Sequence, residues 1–221
     1  AVKQSGIIIQ DNQFYRCDGS DELIRLEASD VEIRRNTFIE CRGSVALLRG
    51  TGNQVHNNYF LGNDVLLTGG IRIFGVQHRV YNNHMQQLNA LKLNSNISSR
   101  ERLAPLAIGA GTGDPDTDPD GFDRVDELRV THNSLILNKR NLFIGADYDM
   151  TTQNLGPENS SIANNLIWGN LGDLIDVRTG LIPEPSLAWQ ANLIFRVDDS
   201  SPVPMSVPIG WFTADPMMDL G

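Results

Sequence analysis

Cysteine, aromatic residues and positive charge are all scarce in this 221-residue sequence. It has two cysteines and 7% aromatic residues, and its 18 Lys and Arg face 27 Asp and Glu, which gives a net charge of −9. This acidic balance argues against nucleic acid and anionic membranes as partners. No apolar run reaches the length of about 18 residues that a transmembrane helix needs, so no membrane span is expected.

The sequence is rich in a short repeat built around an asparagine. Each copy has an apolar residue three positions before the asparagine and another two positions after it. Successive asparagines are 22 to 32 residues apart, with one step of 50. The copies are IQDNQF (9–14), IRRNTF (33–38), VHNNYF (55–60), VYNNHM (80–85), VTHNSL (130–135), IANNLI (162–167) and WQANLI (189–194). Repeats of this length indicate a stack of similar coils.

The repeat predicts an all-β fold, a right-handed single-stranded parallel β-helix. Its segments are short, rich in β-branched residues and alternate with a period near two, which favours strands over helices. One strand cannot bury its apolar face alone, whereas stacked coils form a continuous core. The right-handed path follows the general rule for parallel crossovers. We expect the asparagines to occupy bends in the left-handed conformation and to hydrogen-bond from coil to coil.

The predicted organisation is a single domain over 1–221 with an irregular, proline-rich C-terminal cap over 196–221. The step of 50 residues between Asn83 and Asn133 is expected to hold one additional coil around 103–110. The first coil begins without a polar segment before it. We therefore expect missing N-terminal coils or another chain to cover it.

The two cysteines, Cys17 and Cys41, occupy matching contexts in neighbouring repeats, FYRCDG and FIECRG. We expect them to stack as small apolar side chains, with a disulfide between the coils as the alternative. Two cysteines do not decide the redox compartment.

An acidic stretch, DTDPDGFDRVDE, fits the pattern of a calcium-binding loop without a mismatch. The oxygen ligands would come from four residues, Asp116, Asp118, Asp120 and Glu127. The flanking sequence predicts loop and strand rather than the two helices of an EF-hand, so a solvated acidic loop is the alternative. The stretch makes calcium a candidate cofactor.

The segment from Arg16 to Leu88 resembles polysaccharide lyase family 6, the family of alginate lyases and chondroitinase B. The resemblance is carried by CDGSDELIRLEAS, RRNTFIECRGSVALLRGTGN, HNNYFLGN and TGGIRIFGVQHRVYNN, and more loosely by SIANNLIWGN and LAWQANLIF. It covers the central and C-terminal coils of a family domain, so the chain resembles the C-terminal part of a longer one. The resemblance implies an acidic polysaccharide, alginate-like or another uronic polymer, as substrate, and a secreted or periplasmic location.

Members of this family cleave their polymers by β-elimination, which removes a proton next to the sugar carboxylate. The resemblance implies calcium held by acidic side chains, a lysine as base and an arginine that assists the leaving oxygen. In this chain the two calcium-ligand positions are Ser20 and Glu22. The base position is Glu27 and the acid position is Leu48. Because a general base contributes about 10²–10⁴-fold in rate, elimination is expected to be weak or lost.

The same resemblance assigns substrate contacts to Arg72 in TGGIRI and to His78, although packing inside the coil is the favoured interpretation of His78. Arg25 and Arg49 are expected nearby and could partly replace the missing cations. Positions 22, 27, 48 and 72 are predicted to share one outer wall. The other three histidines are expected on the outer surface: His56, His84 and His132.

Several functions remain open at this point. The favoured one is a family member with weak or absent lyase activity. The alternatives are a non-catalytic carbohydrate-binding module and a structural or assembly module. The carboxylates of Asp21, Glu22 and Glu27 leave glycoside hydrolysis as a further alternative.

Overall fold

The computed structural model describes residues 5–90, 103–112, 121–169, 174–181, 187–196 and 211–213. The secondary-structure elements in this part of the chain are all β-strands, and it contains no helix that could cross a membrane. Three strands follow one another in a fixed order and make one coil, after which the order repeats.

Strands at the same place in successive coils pair in parallel and form three sheets. The first sheet contains Ile8–Gln10 (β1), Glu32–Arg34 (β4), Gln54–His56 (β7), Arg79–Tyr81 (β10), Arg129–Thr131 (β13), Ser161–Ala163 (β16) and Ala188–Gln190 (β19). The second sheet contains Gln13–Tyr15 (β2), Thr37–Ile39 (β5), Tyr59–Leu61 (β8), His84–Gln86 (β11), Ser134–Ile136 (β14), Leu166–Gly169 (β17), Asn192–Arg196 (β20) and Trp211–Thr213 (β21). The third sheet contains Asp18–Leu26 (β3), Arg42–Leu47 (β6), Thr68–Ile73 (β9), Leu106–Gly109 (β12), Leu142–Ala146 (β15) and Ile175–Val177 (β18). This is a right-handed parallel β-helix, and the predicted fold class is confirmed.

The apolar residues on either side of each asparagine form the core. In the first sheet Ile33, Val55 and Val80 pair in register and are fully buried. In the second sheet the Phe38 ring stacks on both Phe14 and Phe60, with 4.6 Å between ring centroids in each pair. Each coil thus buries its apolar face against the next one, as the repeat predicts.

The repeat asparagines form a ladder through the buried corner between the first and second sheets. The Nδ2 group of Asn58 donates to the Ile33 carbonyl of the preceding coil at 3.0 Å and to Oδ1 of Asn83 in the following coil at 3.0 Å. Its own Oδ1 accepts the Asn36 backbone N–H at 2.9 Å. The same bonds recur along the ladder, whose members are Asn12, Asn36, Asn58, Asn83, Asn133, Asn165 and Asn192. The expected hydrogen bonding from coil to coil is therefore present.

The left-handed backbone conformation lies one residue earlier than expected. It is adopted by the residue before each ladder asparagine, and those residues are Asp11, Arg35, Asn57, Asn82, His132, Asn164 and Ala191. The asparagine itself turns inward, where its amide bonds to the neighbouring coils, and the preceding residue bends the chain. The expectation that the repeat asparagines are left-handed was wrong for this reason.

The long step between Asn83 and Asn133 is one enlarged coil and not two. Nδ2 of Asn83 donates directly to Oδ1 of Asn133 at 3.0 Å, and β10 pairs with β13. The segment around 103–110 supplies β12, which is the third-sheet strand of this coil. The prediction of an additional coil was wrong, because the extra residues enlarge the connections before and after β12.

Both ends of the described solenoid bear on the sequence predictions. Ile7 and Ile8 in the first coil are about half exposed, and a cover for this surface stays a prediction. At the other end β21 pairs in parallel with β20, so a strand stacks where an irregular cap was expected. The rest of that cap lies outside the described residues.

The two cysteines lie in neighbouring coils and are not joined by a disulfide. The Cys17 carbonyl accepts the Arg42 backbone N–H at 2.8 Å, which places Cys17 beside Cys41. Both thiols are free. Burial raises the pKa of the Cys41 thiol, so this side chain stays protonated at neutral pH.

Replacing Asn58 by alanine tests the ladder. Asn58→Ala leaves the Ile33 carbonyl and the Asn36 N–H buried without their partner, so we expect a loss of about 2–4 kcal/mol in unfolding free energy. Asn12→Ala is the matched control, because Asn12 is exposed at the end of the ladder, and should cost less than about 1 kcal/mol. Urea unfolding of both variants measures the difference. Equal losses would show that the ladder adds nothing beyond local turn bonds.

Candidate functional site

The outer face of the third sheet, called the wall below, carries the residues that the sequence places together. Side chains alternate along each strand, so Ile24 and Leu26 of β3 face the core while Arg25 faces outward. The register aligns Arg25 with Ala46, and Ala46 with Arg72. The outward column continues through Ala107, Phe143 and Asp176.

Arg72 is the centre of the wall, and its side chain is fully buried. Its Nε donates to Oδ2 of Asp147 at 2.8 Å, and its Nη1 donates to Oε1 of Glu22 at 3.1 Å. The small side chains of Ala46 and Ala107 on either side leave room for the guanidinium to lie against the sheet. Arg72, to which the resemblance assigns a substrate contact, is therefore held by two carboxylates of its own chain.

Arg25 is the accessible cation of the wall, with half of its side chain exposed. Its Nη1 donates to Oε2 of Glu22 at 2.9 Å, and its Nε and Nη2 donate to Oε1 of Glu27 at 2.8 and 2.5 Å. These bonds raise the pKa of Arg25, led by the bond to Glu27. The carboxylate at the base position is thus paired with an arginine on the same strand face.

Leu48 lies in a small apolar cluster on the outside of the sheet. It is fully buried with Ala46 and Phe74, and Phe122 packs against them. The Phe74 and Phe122 rings are 4.5 Å apart, and the Arg72 guanidinium lies 5.3 and 5.4 Å from their centroids. Leu48, which the resemblance places at the acid position, is therefore covered by apolar side chains.

Two close contacts hold this cover in place. A Cβ on Gly109 would lie only 2.0 Å from the Phe74 ring, so only glycine allows Phe74 to pack over β12. Nη2 of Arg49 donates to the Gly121 carbonyl at 3.1 Å, next to Phe122. Arg49, which was expected to replace a missing cation, thus anchors the covering segment.

His78 lies inside the coil and not on the wall. It is fully buried, and its Nδ1 accepts the Asn53 backbone N–H at 3.0 Å. Burial lowers the pKa of His78 to about 4, with a smaller opposing effect from the Phe74 carbonyl. His78 is therefore part of the scaffold, in agreement with the favoured interpretation of packing inside the coil, and it does not reach the wall to contact a sugar.

His56 is covered as well, contrary to the expectation of an exposed ring. Its ring stacks on Tyr81 with 4.5 Å between centroids, and its Nε2 is 2.8 Å from Oε1 of Glu32. This contact is the leading reason that the pKa of Glu32 is lowered. The His56 ring faces outward from the first sheet, but the Tyr81 and Glu32 side chains on neighbouring strands cover it.

The described wall residues do not fit a calcium site. Both oxygens of Glu22 accept bonds from arginines, and the side chain of Ser20 is not described. Among the described residues no group of three or more His, Cys, Asp or Glu could hold a metal. The separate loop prediction stays open, because three of its ligands, Asp116, Asp118 and Asp120, lie outside the described residues. Its fourth, Glu127, accepts a bond from the Gln77 side chain at 2.9 Å.

Asp147 and Phe122 both lie close to Arg72, and the sequence revealed neither of them. Asp147 bonds to Arg72 from 75 residues away, at the turn that follows β15. Phe122 stands in the acidic stretch, where the calcium pattern drew attention to its neighbours. Neither residue belongs to the asparagine repeat, which is the only periodic signal in the chain.

The burial of His78 predicts a pH dependence of stability. Between pH 6.5 and about 4 the unfolded chain binds a proton at this ring and the folded chain does not. Stability should therefore be complete above pH 6.5 and fall by up to about 3 kcal/mol as the pH approaches 4. The preceding coil has Asn53 at the matching place, so asparagine fits there, and it does not titrate. The His78→Asn variant should therefore lose this pH-dependent part of the stability. Urea unfolding across this range measures it, and parallel pH curves for the two proteins would contradict it.

Replacing Arg72 and Arg25 one at a time compares the contribution of a buried arginine to stability with that of a half-exposed one. Arg72→Met leaves the 4% exposed Asp147 carboxylate without its partner, and we expect a loss of about 3–5 kcal/mol. Arg25→Met removes half-exposed ion pairs and should cost less than about 1 kcal/mol. Adding Asp147→Asn to Arg72→Met should recover part of the loss, because it removes the buried charge that Arg72 balanced. Denaturant unfolding tests this, and equal losses for the two arginines would contradict it.

Comparisons with solved structures agree with this architecture. The chain superimposes on the PL6 family alginate lyase AlyGC with a TM-score of 0.81 and 28% identity, over 97% of this chain and 27% of that one. A mannuronic acid specific polysaccharide family 6 lyase from human gut microbiota gives a TM-score of 0.70 and 23% identity, over 96% and 45% of the two chains. A PL6 alginate lyase in complex with a trisaccharide gives a TM-score of 0.67 and 20% identity, over 84% of this chain and 41% of that one. At the two lower identities the likeness shows the fold alone.

This chain thus spans about a quarter to a half of the length of these structures. A sequence comparison with curated proteins found no match. The family model for chondroitinase B matches residues 1–170, which is most of the chain. The protein therefore belongs to the chondroitinase B family of polysaccharide lyases, as the resemblance of its coils predicted.

Proposed function

We propose that this chain recognises an acidic polysaccharide and that β-elimination at its wall is weak or absent. The substrate class is supported by family membership and by relatives that are described as alginate lyases and as a mannuronic acid specific lyase. A polymer of this kind is met outside the cytoplasm, so the proposal includes a secreted or periplasmic location.

Elimination needs a base near the sugar ring and a group that stabilises the leaving oxygen. At the base position Glu27 carries a negative charge that would repel the carboxylate of a uronic sugar, and Arg25 already binds it. At the acid position Leu48 has no proton to give. The wall therefore offers neither group at the position where the family places it.

The burial of Leu48 beneath Phe122 is the observation that carries the proposal. A leucine in an open groove would leave room for a water molecule or a neighbouring side chain to act in its place. Here the position is dry and covered, and Arg72 behind it is bonded to Asp147 and Glu22. The groups that remain accessible on the wall favour binding over chemistry, with Arg25 as the exposed cation.

Hydrolysis is not favoured by this geometry. A pair of carboxylates that hydrolyses a glycosidic bond needs one member placed as a proton donor. Glu22 and Glu27 both accept hydrogen bonds from the same guanidinium, so neither is placed to protonate a sugar oxygen.

Ultraviolet absorbance of unsaturated uronates tests the proposal. With alginate or dermatan-type polymers, with and without calcium, we expect no rise in absorbance but a shift in the thermal unfolding temperature. Glu27→Lys returns a base and should give measurable product, since a base contributes about 10²–10⁴-fold. Glu27→Gln is the matched control, because it removes the charge without supplying a base.

A rise in absorbance with the unchanged chain would show that the wall is active as it stands. New reducing ends without absorbance would instead establish hydrolysis. If calcium does not alter polymer binding in these assays, it is not a cofactor for binding.

A further inference from the structure

A second groove lies at the corner between the third and first sheets, away from the wall. It has a volume of about 470 Å³ and is lined by Gly52, Gln54, Gln77, Arg79, Glu127 and Arg129. Its floor is formed by strands β7, β10 and β13, which run in register across three coils. We call it the corner groove. Every residue that lines it is polar or glycine, which is unlike the apolar cover of the wall.

Two arginines stand directly opposite each other in this groove. Arg79 pairs with Arg129 in the parallel register, and both are exposed. Within the described part of the chain, neither forms an ion pair with a carboxylate. Arg129 donates only to the carbonyls of Leu128 and Asn159. Glu127, the one carboxylate that lines the groove, accepts its hydrogen bond from the Gln77 amide.

This arrangement is unusual for an acidic protein. With a net charge of −9, carboxylates are plentiful, and exposed arginines elsewhere bind them, as Arg35 binds Asp11 and Arg42 binds Asp18. Like charges directly opposite in a sheet are destabilising. An anion bound between Arg79 and Arg129 would remove this repulsion.

The groove fits a carboxylated sugar chain better than a single small anion. An arginine binds a carboxylate through two parallel N–H bonds. Arg79 and Arg129 start from neighbouring strands, whose backbones are about 4.8 Å apart, on the scale of one sugar ring. The Gln54 and Gln77 amides beside them can bond sugar hydroxyls, and the Tyr81 hydroxyl already donates to Gln54 at 3.3 Å. Because the protein as a whole repels polyanions, binding one requires a local pair of this kind.

We propose that the corner groove is a second binding site for a carboxylate-bearing oligosaccharide, with Arg79 and Arg129 each binding one sugar carboxylate. The site is separate from the wall, although its ligand class rests on the function proposed above. Such a site would hold the polymer along the solenoid while another part of it lies on the wall.

Calorimetric titration with a uronate hexasaccharide tests this site. The Arg79→Gln/Arg129→Gln double variant should bind about tenfold or more weakly, since each lost bond is charge-assisted. The matched control is Arg16→Gln/Arg35→Gln, which removes the same charge from arginines that already bind Glu40 and Asp11, and it should bind like the parent. The carboxyl-reduced hexasaccharide should bind the parent as weakly as the hexauronate binds the Arg79/Arg129 variant.

Two further measurements keep the outcome clear. Without ligand, the Arg79/Arg129 variant should unfold at the same temperature as the parent or higher, because a repulsion has been removed. With hexauronate, hydrogen exchange should slow over residues 77–81 and 127–131 in the parent.

Unchanged affinity of the Arg79/Arg129 variant, or equal binding of the carboxyl-reduced sugar, would overturn the inference. If affinity falls only in Arg25→Gln, the wall is the sole site, and the inference fails while the proposed function stands. Absence of any binding would overturn both.

Discussion

The buried amide ladder fixes the alignment of every coil with the next. Each asparagine between the two ends of the ladder donates to the coil before it and to the coil after it, and its oxygen accepts from the preceding coil's backbone. These groups are buried, so a shift of one residue would leave several of them without partners. The in-register columns on all three sheets follow from this constraint, including the column that carries Arg25 and Arg72.

The wall holds the positions to which the family resemblance assigns chemistry, and their side chains here bond to and pack against the rest of the coil. Arg72 occupies a position that the family resemblance assigns to the substrate, yet its charge is balanced by Glu22 and Asp147. Leu48 and Phe74 form a second, outer apolar cluster that Phe122 completes. Ion pairing and burial thus occupy the side chains at the centre of the wall. The corner groove has the opposite character, with charges that the described chain leaves unbalanced.

Much of the fold could be predicted because its signal is local and periodic. The apolar residues that flank each asparagine mark two strands per coil, and the resemblance located the wall strands around Glu22 and Arg72. Turn conformation was harder, since Arg35, His132 and Ala191 adopt the left-handed form without a sequence signature of it. The enlarged fourth coil was misjudged because its spacing happens to equal two ordinary coils.

The candidate site was less predictable than the fold because its contacts join distant parts of the chain. The partners of Arg72 and Arg49 lie 75 and 72 residues away, and no short motif announces them. The burial of His78 is an exception, because packing inside the coil was the favoured interpretation of this residue. The ring takes the acceptor role that Asn53 has in the preceding coil.

The bend before each ladder asparagine has a consequence for how this surface varies. Asp11, Arg35, Asn57, Asn82, His132, Asn164 and Ala191 hold the same backbone shape with acidic, basic, amide and aliphatic side chains. Their side chains take no common part in the ladder, so chemical identity along this edge is uncoupled from folding. The solenoid thus carries a row of evenly spaced side chains. Substitutions among them can change the chemistry of this surface without changing the fold.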